Sequence, residues 1–134
     1  MRRYRSFTGL VLLACCMSCQ HIPDALPLPK FPERHFDTPW AMDAASVERL
    51  AANANALPVG TDINDVVKVL GPPDSDVAMQ KNAYHRFFAY YITRQRADSP
   101  IESDSVVHFA FNRRGKLEAV YSNVIAIKTR NWPR

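Results

Sequence analysis

The chain predicts an α+β fold: two helices packed on a three-stranded antiparallel sheet, in the order ααβββ. Three observations point there. Between residues 43 and 71 apolar residues recur twice at helical spacing. From Tyr84 onward the apolar residues become aromatic and β-branched, as strands favour. A tight-turn signal, Asn112-Arg113-Arg114-Gly115, then separates two apolar runs. Helices followed by strands pack as layers, with the helices on one face of the sheet. Three strands need such a cover to be stable in water.

The first twenty residues read as an address. Arg2, Arg3 and Arg5 precede an eight-residue apolar run, Phe7 to Ala14. A spanning helix needs about 20 apolar residues, so this run fits the core of a secretory signal instead. Residues 1–14 resemble the signal of a bacterial lipoprotein. There a Leu-x-Ala/Gly-Cys box marks the Cys that takes a diacylglycerol and becomes the first residue. Leu12-Leu13-Ala14-Cys15 is the best match, which makes Cys15 the expected lipidation site. Cys16 and Cys19 are the alternatives, and an ordinary cleaved secretory signal is the plain one. Stable attachment takes more than one acyl chain, and a lipoprotein N-terminus typically carries three. None of the three cysteines is followed by Asp, which by analogy with enterobacterial sorting implies the outer membrane. All three cysteines lie between positions 15 and 19, so a disulfide within the domain is excluded.

Residues 15–42 continue as the lipidated N-terminus and a stalk. Pro23, Pro27, Pro29, Pro32 and Pro39 fall in residues 20–42, half of the ten prolines. Each lacks a donor and restricts its predecessor, so an extended, semi-rigid spacer is expected, free of helix or central strand. Phe31, Phe36 and Trp40 give it an unusual aromatic load. Trp40, nearest the domain, is expected to dock.

The domain takes up residues 43–134. Asp43 is the expected N-cap of the first helix, with Val47, Leu50, Ala51, Ala54 and Leu57 on one stripe. Asp62 caps the second, with Asp65 as the weak partner of a capping box and Thr61 as an alternative cap. Ile63, Val66, Val67 and Leu70 form its stripe, and Gly71 is expected to end it in a left-handed conformation before Pro72-Pro73. Asp74 to Asp76 begin a loop. Strands are expected at Tyr84–Thr93, Ser105–Asn112 and Leu117–Val124, the last running on towards Ile127. Val107, Phe109 and Phe111 should face the core. The first strand is apolar on both faces, which hints at a protein-binding surface. Trp132 falls in a polar tail, Lys128 to Arg134.

Two motifs together resemble the BamE/SmpA/OmlA lipoproteins. Gly60-Thr61-Asp62-Ile63-Asn64-Asp65-Val66-Val67-Lys68-Val69-Leu70-Gly71-Pro72-Pro73 is similar to their Gly-Met-Thr, Val, Leu-Gly-x-Pro pattern, with Thr61 in place of Met and Asp62 in place of Thr. Val107 to Leu117 is similar to their strand, polar turn and Gly-Lys-Leu hairpin. The resemblance covers about residues 57–121. It implies a lipid-anchored subunit of β-barrel assembly that binds proteins in the envelope and faces the periplasm. The same two-helix, three-strand unit occurs in small inhibitors of β-lactamases, so a periplasmic inhibitor or ligand-binding module is the alternative.

Other functions find less support. The net charge is +4, of which three charges are Arg2, Arg3 and Arg5. Without them 14 basic residues face 13 acidic ones, which gives no basic footprint for nucleic acid. With 134 residues the chain is short for a doubly wound nucleotide enzyme. There is no Gly-x-Ser-x-Gly, Gly-rich phosphate loop, His-Glu-x-x-His or Cys-x-x-Cys. No enzyme activity, cofactor, metal or small-molecule substrate is inferred. His85 and His108 could meet across paired strands as half of a metal site, but solvated histidines are the expectation. Asp98, Glu102 and Asp104 with Arg94 and Arg96 read as a self-neutralising loop. Trp40, Tyr90, Tyr91 and Arg94 are the candidate partner-binding residues.

Overall fold

The computed structural model describes residues 28–79, 84–95 and 104–132. Cys15, Cys16 and Cys19 lie outside them, as do Asp98 and Glu102. The order is β1 (Trp40–Ala41), α1 (Ala44–Ala56), α2 (Ile63–Leu70), β2 (Ser75–Ala78), β3 (Arg86–Tyr91), β4 (Thr93–Arg94), β5 (Val106–Phe111) and β6 (Leu117–Ser122). The fold is α+β. Its main sheet has four antiparallel strands, β2-β3-β5-β6, and a two-stranded sheet pairs β1 with β4.

Both helices start where side-chain chemistry dictates. Asp43 accepts hydrogen bonds from the Ser46 amide (2.9 Å) and hydroxyl (2.7 Å). Asp62 accepts from the Asn64 amide at 2.9 Å and is paired with Lys116 Nζ at 3.2 Å. These contacts hold both carboxyls below the ordinary aspartate range. Asp65 pairs with Lys68 at 3.9 Å rather than completing a capping box. Gly71 departs from expectation. Its φ of 81° is positive, but its ψ is −176°. Pro72 explains this, because a residue before proline is pushed to extended ψ.

The sheet has two distinct faces. Phe88, Tyr90, Val107, Phe109, Phe111, Leu117 and Val120 face Leu50, Ala51, Ala54, Leu57, Ile63 and Val66 of the helical layer. A bulge in β6 between the Ala110–Ala119 and Phe111–Leu117 pairs leaves Glu118 as the extra residue. Without it Leu117 would point to the opposite face. The hairpin turns at Gly115 (φ 69°), whose amide donates to the Asn112 carbonyl at 3.0 Å. The turn is tied to the start of α2 by the Ile63 amide, which donates to the Gly115 carbonyl at 2.8 Å.

Four expectations are corrected. Residues 75–78 form an edge strand rather than a loop, because Asp76 is buried in an ion pair with Arg86 across the β2–β3 pair. The strand expected at Tyr84–Thr93 breaks at Ile92, whose side chain enters the core and whose amide donates to the Ser105 carbonyl at 2.7 Å. Thr93–Arg94 then pair with Trp40–Ala41 instead. The last strand ends at Ser122, and the chain turns so that Ile127 (3% exposed) tucks into the core.

The fourth correction concerns residues 28–42, which lie along the domain rather than projecting from it. Leu28 and Phe31 pack on the helix-side core, with the Phe31 ring 5.7 Å from Phe88. The segment rounds the β2 edge at Arg34, whose amide donates to the Asp74 carbonyl at 2.8 Å. Phe36 and Trp40 then lie on the opposite face with Ala89, Tyr91 and Val106. Prolines bar helix here but leave an extended chain free to lie against a sheet edge.

Candidate functional site

The face of the sheet turned away from the helices is aromatic at both ends. Alternation along β3, β5 and β6 places Phe87, Ala89, Tyr91, Val106, His108, Ala110, Ala119 and Tyr121 on it. Exposed Val77 (48%) lies beside Phe87 in register.

One end is built around Trp132. Arg130 forms a bridge with Val120 at the open edge of β6, through bonds of 2.9 and 2.7 Å. Its guanidinium reaches the other way and caps α1, donating to the carbonyls of Leu57 and, at 2.9 Å, Ala54. Asn131 then takes a positive φ of 52° and reverses the chain. That reversal lays Trp132 on the aromatic face, 6.1 Å from Tyr84, 5.8 Å from Phe87, 6.4 Å from His108 and 5.4 Å from Tyr121. These neighbours bracket Ala110 and Ala119, both fully buried. Two methyl side chains make the hollow that a Trp ring fills. The five rings themselves are all half-buried. Burial under the Trp132 ring holds the His108 imidazole below its ordinary pKa.

The other end is built around Arg34. Its guanidinium lies 4.6 Å from the Phe36 ring and 4.5 Å from the Trp40 ring, and it pairs with Asp74 at 3.2 Å. Phe36 also meets Tyr91 edge-on at 5.7 Å. Arg94 stands 4.9 Å from the Tyr91 ring and 2.8 Å from the buried Asp104 carboxylate. Asp104 accepts the Gln95 amide at 2.8 Å as well. Burial raises the Tyr91 phenol above its ordinary pKa.

Of the candidate partner-binding residues singled out in sequence, Trp40, Tyr91 and Arg94 meet at this end, where Trp40 stays partly open but Tyr91 is 6% exposed and the Arg94 side chain 11%. Tyr90 does not join them. It points to the helix side, 5% exposed, with its hydroxyl donating to the Gly71 carbonyl at 2.9 Å. Burial raises its phenol pKa strongly, with Asp74 and Asp76 adding to the effect. His85 and His108 do not face each other, since His108 stands opposite Ala89 and Tyr121. Among the described residues no group of three or more His, Cys, Asp or Glu side chains is placed to hold a metal ion. No described helix is long and apolar enough to cross a membrane. Sequence reasoning missed Trp132 and the rings it gathers. The available signal was a lone Trp, two residues after Arg130, in an otherwise polar tail.

No protein-family model, curated protein or solved structure matches this chain.

Proposed function

We propose that the chain is a non-enzymatic, protein-binding lipoprotein of the bacterial outer membrane. Its lipid sits at Cys15 and its domain faces the periplasm. In role it is similar to the accessory subunits of β-barrel assembly that its motifs resemble. The observation that carries the binding role is the aromatic outer face of the sheet. Half-exposed Trp132, Tyr84, Phe87, His108 and Tyr121 stand at one end, with Trp40 and Arg34 at the other. Trp, Tyr and Arg are the side chains that dominate binding energy at protein interfaces. They offer large, rigid contact area with polar tips that can be satisfied at a rim. The anchor supports the same role, because confinement to a membrane raises the effective concentration of a weak binder near its partner.

The test has two arms. Labelled palmitate is expected on the native protein and lost from Cys15→Ser, which should leave the membrane fraction. Label retained by that variant would move the lipid to Cys16 or Cys19. The native protein, recovered from detergent-solubilised outer membranes, is expected to bring barrel-assembly subunits with it. Recovery with a soluble enzyme instead would make it an inhibitor.

A further inference from the structure

The strap at the N-terminal side of the domain has a clasp. Asp76 and Arg86 face each other across β2 and β3, with Arg86 Nη2 2.5 Å and Nε 2.8 Å from the carboxylate. Their side chains are 1% and 14% exposed. The pair does not spend its hydrogen bonds on each other alone. Arg86 also donates to the backbone carbonyls of Leu28 (2.7 Å) and Pro29 (2.9 Å). Asp76 also accepts the Phe31 amide at 2.8 Å. An ion pair thus grips the backbone of a segment more than 40 residues away in sequence, on both its carbonyl and its amide side. Pro32 offers the Pro29 carbonyl no N–H, and the Phe31 amide that could turn back to Leu28 is taken by Asp76 instead. Phe31, Phe36 and Trp40 continue the attachment around the sheet edge.

We infer that this clasp sets the length of the leash between the lipid and the domain. The inference rests on the lipid being at Cys15. From Cys15 to Leu28 there are 13 residues, which reach at most about 45 Å when fully extended. Were residues 28–42 free, the leash would run to Met42, 27 residues from Cys15, and reach about 90–95 Å. The attached strap, of which the clasp is the hold nearest the lipid, halves the radius that the domain can search. A volume that scales with the cube of that radius shrinks roughly eightfold, so the effective concentration towards a membrane-embedded partner rises by about the same factor. Leu28 packs on the helix side of the sheet, opposite the aromatic face.

The experiment uses the full lipidated chain in vesicles of phosphatidylethanolamine and phosphatidylglycerol. Cys16→Ser and Cys19→Ser remove the spare thiols, and Lys128→Cys carries a fluorescent donor. Acceptors sit on the lipid headgroups. Two variants open the clasp: Arg86→Met, and the near-isosteric Asp76→Asn in case the first fails to fold. Each is expected to lower energy transfer and to speed tryptic cutting at Lys30–Phe31 roughly tenfold or more. Unchanged transfer in folded variants, or a Lys30–Phe31 bond cut in the unmodified chain as fast as in a free peptide, would overturn the inference and leave the anchor standing. Absence of incorporated palmitate would overturn both.

Discussion

Gly71→Ala probes how firmly the end of α2 is fixed. With φ at 81° and ψ at −176°, Gly71 occupies a region of backbone space open essentially to glycine alone. A Cβ built there meets nothing within 4 Å, so the penalty is backbone strain without any steric clash. The strain cannot relax easily. The Gly71 amide is held by the Val67 carbonyl at 2.8 Å, its carbonyl by the Tyr90 hydroxyl, and its ψ by Pro72. Such strain costs about 1–3 kcal/mol, and the reduced freedom of the unfolded chain returns about 0.4–1. The net loss is about 1–2 kcal/mol, which lowers Tm by roughly 4–16 °C in a domain of this size. Thermal melts followed by far-UV circular dichroism measure it. Combining Gly71→Ala with Tyr90→Phe should cost less than the sum of the two, because Tyr90 is one of the restraints. A Gly71→Ala protein that melts at or above the unmodified chain would refute the reasoning and show that this turn is free to rotate.

Three further outcomes are expected. Phe109→Asp places an unpaired charge at a fully buried position opposite Phe88 and Val120 and should abolish the cooperative melt. Asp62→Ala should cost about 1 kcal/mol through its cap and lower Tm more than Asp43→Ala, because Asp62 also holds Lys116 of the hairpin. Both carboxyls have native pKa values below the unfolded ones. Their contribution is therefore complete above about pH 4 and is lost as the pH falls through the lower native values. His108 is depressed likewise. Its contribution is complete above about pH 6.5, the unfolded value, and declines on acidification towards the native value. Urea unfolding at each pH, followed by tryptophan fluorescence, should report that decline between pH 7.5 and 5, and a His108→Phe protein should lack it.

The helices were legible because their determinants are local. Asp43 and Asp62 sit within three residues of the amides they cap, and each stripe is a short-range period. The aromatic strand was legible as a strand but not by face, since both of its faces are apolar. The structure explains that pattern: Phe88 and Tyr90 meet the helices, while Phe87 and Tyr91 meet Trp132 and Phe36. What escaped was held by distant partners. β2 is four residues of mixed character whose place depends on Asp76 meeting Arg86. The strap depends on the same pair, 57 and 58 positions away from Pro29 and Leu28. Trp132 reaches its site through one bridge and one residue of positive φ. Neither leaves a periodic trace. Trp40, Tyr91 and Arg94, singled out by aromatic density and charge, do come together in space at one end of the face. Tyr90 was included by the same density, which carries no information about side.

Photo-crosslinking in intact envelopes tests the central claim most directly, with a photoreactive residue placed at Tyr121 on the aromatic face and, separately, at exposed Val69 on α2. The account predicts a discrete adduct with an outer-membrane-associated protein from Tyr121 and none from Val69. Adducts from Val69 alone, or none from either position in a protein shown to carry palmitate, would contradict it.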